Sequence, residues 1–130
     1  MKKKIFNKYD VLNTDRRGSI VRLLDSGDLK IISVLKIQSN KGVIRGNHYH
    51  KKDIHFTYLV SGKFRYIEQE MKGQKSKKIS NIIGPSEMVV SYPETIHAME
   101  FLENSEMIVF TTEPREQKKY EHDTVRTKLI

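Results

Sequence analysis

The apolar residues of this chain fall in short dense runs, rich in Ile, Val, Phe and Tyr, and turn residues interrupt them about every eight to twelve positions. No stretch between residues 31 and 111 sustains a helical period, so the pattern argues against a helical bundle and predicts an all-β sandwich or barrel. Residues 31–37 read as a nearly fully buried strand. Residues 55–60 and 63–67 flank Ser61-Gly62 and read as a hairpin. Further strands are expected at 78–83, 88–91, 97–102 and 107–111, with turns at 71–73, 84–86 and 103–105. The aromatics Tyr58, Phe64 and Tyr66 are expected in the core or at a subunit interface. Residues 114–130 are mixed in charge and are open to three readings: a short helix, an edge strand or an arm on a partner subunit.

At 130 residues the chain has room for one domain. Its mean hydropathy of -0.59 is polar, but the apolar residues are gathered rather than spread, which argues for a fold over disorder. The absence of cysteine removes disulfides, thiolate metal sites and a cysteine nucleophile, so any metal must rest on His, carboxylate or water. The start Met1-Lys2-Lys3-Lys4 imitates the basic end of a secretion signal. Asn7, Lys8 and Asp10 then break the apolar stretch that would have to follow. No uncharged stretch approaches the about 20 residues that cross a bilayer, so a cytoplasmic protein with no membrane partner is expected.

The net charge of +8 is divided as +5 on residues 1–40, +7 on 41–78 and -4 on 79–130. Clustered Lys and Arg can neutralise nucleic-acid phosphates, or they can draw in a small anion. No RNA-binding signature accompanies the aromatics, and the most basic segment also holds three clustered histidines. A small anionic substrate is therefore expected, and no nucleic acid.

Those histidines carry the chemistry. His48 and His50 are two apart, so on a strand both imidazoles leave the same face, while Tyr49 points to the other and serves sheet packing. His55 follows a turn-like Lys51-Lys52-Asp53 and can return toward the pair. His97, after Pro93, can be brought beside them by barrel closure. Four imidazoles gathered in this way suit a borderline divalent metal such as Zn, Ni, Fe or Mn, with no organic cofactor expected. Imidazole also titrates near neutrality, so it can take a proton from a carbon next to a ketone and return it to a neighbouring carbon, provided the enolate oxygen is stabilised. His122 lies in the polar tail and reads as solvated.

Gly42, five residues, His48-Tyr49-His50, four residues, His55, six residues and Gly62 resemble the first cupin motif, with His55 in the slot that usually holds glutamate. Pro93-Glu94-Thr95-Ile96-His97 resembles the second, whose glycine is replaced at position 94 or 95. The resemblance implies one cupin domain over 1–130: a double-stranded β-helix, or jelly-roll barrel, over about 13–112 and a tail over about 114–130. It implies that His48, His50, His55 and His97 are the metal ligands.

Within the cupins, Asp15-Arg16-Arg17-Gly18-Ser19 and the run Ile44-Arg45-Gly46-Asn47-His48-Tyr49-His50-Lys51 resemble the sugar-nucleotide branch. That branch holds deoxysugar 3,5-epimerases, 3,4-ketoisomerases and the cupin domains of capsular-polysaccharide enzymes. The resemblance implies catalysis by His48 and His50 on a dTDP- or UDP-linked 4-keto sugar in surface-polysaccharide biosynthesis. It implies that Arg45 and Arg17 bind the diphosphate, Arg17 from a neighbouring subunit of a homodimer. A standard 3,5-epimerase is disfavoured, because those enzymes show His-Tyr-Gln at 48–50 and a tyrosine acid where Val109 or Phe110 stands. The alternatives are a metal-dependent cupin of another class, such as a dioxygenase, and a cupin that binds a small anion without turnover.

Overall fold

The computed structural model describes residues 11–71 and 77–130, together with the backbone of Ile5–Phe6. The turn expected at 71–73 runs into 72–76, and the basic start at 1–4 precedes Ile5; both lie outside the described residues. In chain order the elements are β1 (Ile5–Phe6), β2 (Val11–Asp15), β3 (Gly18–Val21), β4 (Ser33–Ser39), β5 (Ile44–His50), β6 (His55–Ser61), β7 (Phe64–Glu70), β8 (Ile79–Ile83), β9 (Met88–Ser91), β10 (Thr95–Phe101), β11 (Ser105–Thr111), α1 (Gln117–Asp123) and β12 (Thr124–Arg126).

Two antiparallel five-stranded sheets result, ordered β1-β9-β6-β11-β4 and β12-β5-β10-β7-β8, with β2 and β3 as a separate hairpin. Strands distant in sequence lie side by side, as the jelly-roll barrel requires. Leu59, Phe64, Tyr66, Ile83, Val89, Met99, Phe101, Met107 and Val109 point inward from both sheets as the main core. Tyr66 of this core stacks on His97, and Met99, Met107 and Val109 adjoin His48, His55 and His97 inside the barrel.

Both sheets also cover an outer face. Phe56, Met88 and Val90 pack under Leu24 and Ile31 on one, and Ile67, Ile96 and Ala98 pack under Leu129 and Ile130 on the other, beside Tyr49. Tyr58 packs with the first of these clusters, while Phe64 and Tyr66 are core residues. The strand expected at 31–37 starts instead at Ser33, and its burial alternates rather than running through. Its position explains the difference: β4 is the last strand of its sheet, and its outer face is uncovered, leaving Val34 59% exposed. The tail combines two of its three readings, a seven-residue helix followed by an edge strand on β5. Among the described residues no helix is long and apolar enough to cross a membrane.

Candidate functional site

The segment Arg45-Gly46-Asn47-His48 shapes the site before any chemistry enters. Gly46 has φ 88°, and a Cβ there would lie 2.7 Å from the carbonyl oxygen of His97, so only glycine lets β5 approach β10 this closely. Asn47, at φ 56°, turns its side chain to the chain terminus: Oδ1 accepts from the N–H of Leu129 at 2.8 Å and of Ile130 at 3.1 Å. The tail is thereby pinned beside β5. In register across the sheet, Glu68 of β7, His97 of β10, His48 of β5 and Arg126 of β12 form one row.

His48, His50 and His97 are all buried. Their ring centroids are 4.7 Å (His48–His50), 4.7 Å (His48–His97) and 5.5 Å (His50–His97) apart, and His55 stands 4.5 Å from His50. Burial, reinforced by the neighbouring imidazoles, lowers His48 to about 2, His50 to about 3 and His97 to about 4, so all three are neutral at pH 7. His97 Nδ1 donates to the carbonyl of Thr95 at 3.3 Å, and His50 Nδ1 meets the hydroxyl of Thr124 at the same distance. Both contacts leave Nε2 as the outward lone pair. His48 Nδ1 and His50 Nε2 are buried with no hydrogen-bond partner, where buried polar atoms are ordinarily paired.

One ligand atom from each of His48, His50 and His97 lies within 4.8 Å of the others, and the same holds for His50, Asp53 and His55. Neutral imidazoles with unpaired lone pairs at this spacing fit a divalent cation. His55 sits differently from the other three. Its Nε2 meets Asp53 Oδ2 at 2.7 Å, and Asp53 Oδ1 accepts from Thr112 N (3.1 Å), Thr112 Oγ1 (3.3 Å) and Glu113 N (3.2 Å). Burial alone would raise the Asp53 carboxyl; the bond and charge of His55, with the Thr112 N–H, hold it below its ordinary value.

His48, His55 and His97 line a cavity of about 250 Å³, and His50 lies beside it, outside the described lining. Arg45, Arg115 and Arg126 line it with Tyr120, and the described lining includes no carboxylate. Arg45 is anchored by Nε to Ser39 Oγ at 2.7 Å and by Nη2 to the carbonyl of Gln38 at 3.1 Å. Arg115 lies over the Tyr120 ring, 3.6 Å from its centroid, and its buried Nε has no hydrogen-bond partner. Burial raises the Tyr120 phenol, and Arg115 acts in the opposite direction. Arg126 pairs with Glu121.

Arg17 stands outside the cavity, on the exposed β2–β3 turn, with its guanidinium 2.7 Å from Asp15. His122 is exposed on α1. Arg115, Tyr120, Arg126 and Asp53 were missed in the sequence. The first three belong to the tail, whose return to β5 no local pattern announces, and Asp53 resembles any turn carboxylate until its partners at 112 and 113 are seen.

Fold and site together define a cupin-like jelly-roll barrel with a histidine cluster and a cationic mouth. The chain belongs to the polysaccharide biosynthesis C-terminal domain family, whose pattern it matches over residues 13–125. No curated protein sequence matches it. Among solved structures the fold is similar to a 3,4-ketoisomerase from Helicobacter canadensis, with TM-score 0.72 and 20% identity over 95% of this chain and 89% of that one. It is similar to an asparagine variant of the 3,4-ketoisomerase QdtA from Thermoanaerobacterium thermosaccharolyticum, in complex with TDP-4-keto-6-deoxyglucose (TM-score 0.69, 20% identity, 98% of this chain and 90% of that one). It is also similar to dTDP-4-dehydrorhamnose 3,5-epimerase from Sulfolobus tokodaii (TM-score 0.67, 22% identity, 83% and 69%).

Proposed function

We propose that this chain is a sugar-nucleotide isomerase that moves protons on the carbons beside the ketone of a nucleoside-diphosphate-linked 4-keto sugar. The observation that carries this reading is the cavity, which sets imidazoles against a wall of arginines with no carboxylate among its described lining. At about 250 Å³ it suits one sugar ring, leaving the nucleotide along the mouth. QdtA, a protein of this fold, was captured with a substrate of this class, and the two ketoisomerases match at nearly full length on both sides. Those matches favour an isomerase over an epimerase.

The residues divide the work. His55 is oriented by the buried carboxylate of Asp53, as in other carboxylate-oriented bases. His48, which lines the cavity, becomes a proton acceptor when a substrate's negative charge lies beside it, with His50 next to it, since an opposite charge raises an imidazole. Arg45 and Arg115 supply positive charge to the enolate oxygen or the diphosphate. Arg17 joins them only from a second subunit.

A divalent metal, Zn, Ni, Fe or Mn, would be held by His48, His50 and His97, whose coordinating nitrogens would then no longer accept protons, with His55 entering the set only through Nδ1 because Nε2 is taken. Bound there, it would act as a Lewis acid on the ketone oxygen. We further propose a homodimer. The hairpin carries Val11, Leu12, Ile20 and Val21 exposed, and beside it a groove of about 590 Å³ is lined by Leu12, Leu23, Leu24, Ile31, Val34 and Phe110.

The test is incubation with TDP-4-keto-6-deoxyglucose and its UDP-linked counterpart in deuterated water. Deuterium at the carbon next to the ketone is expected. Exchange with neither compound rejects the reading. The unpaired nitrogens of His48 and His50 also support a second reading, a metal-dependent cupin of another class. Elemental analysis of untagged protein with oxygen uptake decides it: a redox metal that consumes oxygen, without exchange, replaces the isomerase by an oxygenase.

A further inference from the structure

Moving a ketone from C4 to the neighbouring C3 needs two separate proton transfers. One takes the hydrogen from C3 to C4. The other takes a proton from the hydroxyl at C3 to the oxygen at C4. A single imidazole serves the first, because it can lift the proton from C3 and set it down on C4. The second needs a group that donates and accepts at once; an arginine has no acceptor, and of the lining imidazoles His48 serves the carbons while His55 Nε2 and His97 Nδ1 are already engaged by Asp53 and the Thr95 carbonyl. Among the lining residues described, only Tyr120 and Thr57 carry a hydroxyl, and an aliphatic alcohol is the far weaker acid.

Tyr120 is also placed for the task. It lines the cavity together with His48, its ring 6.5 Å from that of His48 centroid to centroid, and lies 5.6 Å from His50. α1 carries it, and the chain returns at once to β5 through Thr124 opposite His50, whose hydroxyl donates to the Tyr120 carbonyl at 2.7 Å. Arg115 covers one ring face. Arg115 thus holds the ring, and Thr124 the backbone that carries it.

We propose that Tyr120 is a catalytic residue that relays the proton between the two oxygens while a histidine relays it between the two carbons; this rests on the isomerase reading above. The base takes the proton at C3, the C3–H pair becomes the C3=C4 double bond, and the carbonyl π pair moves to the C4 oxygen, which takes the phenol proton. The hydroxyl at C3 then returns a proton to the phenolate as C3=O forms, and the C3=C4 pair takes the imidazolium proton at C4. C3 is oxidised and C4 reduced within one molecule, so no outside oxidant or reductant enters.

Enolisation and return at C3 need the base and a positive charge on the enolate oxygen, which Arg45 and Arg115 supply without Tyr120, but no proton transfer between the oxygens, so the two functions separate experimentally. Tyr120→Phe is compared with wild type on TDP-4-keto-6-deoxyglucose in deuterated water, reading deuterium at C3 by mass spectrometry and formation of the 3-keto product by NMR. The expected result is exchange within about twofold of wild type and keto transfer reduced about 100-fold or more. Retained exchange itself shows that the variant is folded. Keto transfer at the wild-type rate overturns the assignment, and so does exchange that falls in step with transfer. Wild-type protein that exchanges C3 without forming the 3-keto product leaves the histidine reading standing and removes Tyr120. Wild-type protein inert in both assays removes the isomerase reading and the relay together.

Discussion

Arg45-Gly46 and Arg17-Gly18 are the same dipeptide with glycine at positive φ, 88° and 128°, in opposite surroundings. At Gly46 an added Cβ would press on the backbone of His97, whereas at Gly18 it would meet nothing within 4 Å. Arg45 is anchored across a strand boundary to Ser39, while Arg17 reaches only Asp15 two residues away. The histidine strand is therefore defined by contacts distant in sequence and the hairpin by contacts with itself. A two-stranded hairpin alone is marginal in water, so β2 and β3 call for a second surface, and β5 does not.

Substitution at the two glycines breaks or sharpens this comparison most directly. Gly46→Ala is expected to cost about 3 kcal/mol in urea unfolding, from a left-handed backbone and a clash with a carbonyl that has nowhere to move. Gly18→Ala is expected to leave the unfolding midpoint of the monomer unchanged, because a hairpin exposed throughout in one chain frays without opening the core. Equal effects would show that the hairpin is part of the cooperative unit.

Acid provides the next contrast. Burial lowers His48, His50 and His97 in the folded state, so protons bind the unfolded chain first. Stability is full above the ordinary imidazole pKa of about 6.5 and falls as pH drops from there toward the folded values. Metal-free protein should lose about 2 kcal/mol or more between pH 7.5 and pH 4.5. The hairpin carboxylate Asp15, lowered to about 2 by Arg17, is exposed and titrates below that window. A flat profile from 7.5 to 4.5 would contradict the burial of the cluster.

What the sequence made legible follows the same division. The spacing of His48, His50, His55 and His97 could be read because strand periodicity and two turns suffice to bring them near one another. The tail could not be read, since Arg126 meets His48 only when β12 pairs with β5, and Tyr120 comes with it. Residues 31–37 show the limit of composition: an apolar run signals a strand but not whether that strand lies at a sheet edge with one face bare. Asp53 shows the same limit at a single side chain, because a carboxylate in a turn acquires meaning only from donors that fold against it.

If a second copy covers the hairpin, Ile20→Glu should raise the dimer dissociation constant about tenfold or more, since a charge would be buried on association. Sedimentation velocity across a concentration series checks this. Unfolding of the monomer core should be unchanged, as Ile20 is 59% exposed within one chain. A wild-type chain that stays monomeric at high concentration sinks the dimer and confines Arg17 to the outer surface.

The smallest effect lies at the second motif, where the expected glycine is absent. Glu94 adopts φ 58°, its N–H donates to the carbonyl of His50 at 2.8 Å, and its own carbonyl accepts from Met71 at 3.2 Å. The turn geometry of the motif is therefore retained by a residue that resists it, three positions before His97. Glu94→Gly removes a left-handed strain of about 1 to 2 kcal/mol and gives back part of it through the freer unfolded chain, leaving a gain of about 0.5 to 1 kcal/mol. Glu94→Ala keeps the Cβ and should give no such gain. Thermal or urea unfolding of the two variants separates strain from side-chain loss: equal stabilisation by both would mean that the glutamate side chain, not its backbone, is the source.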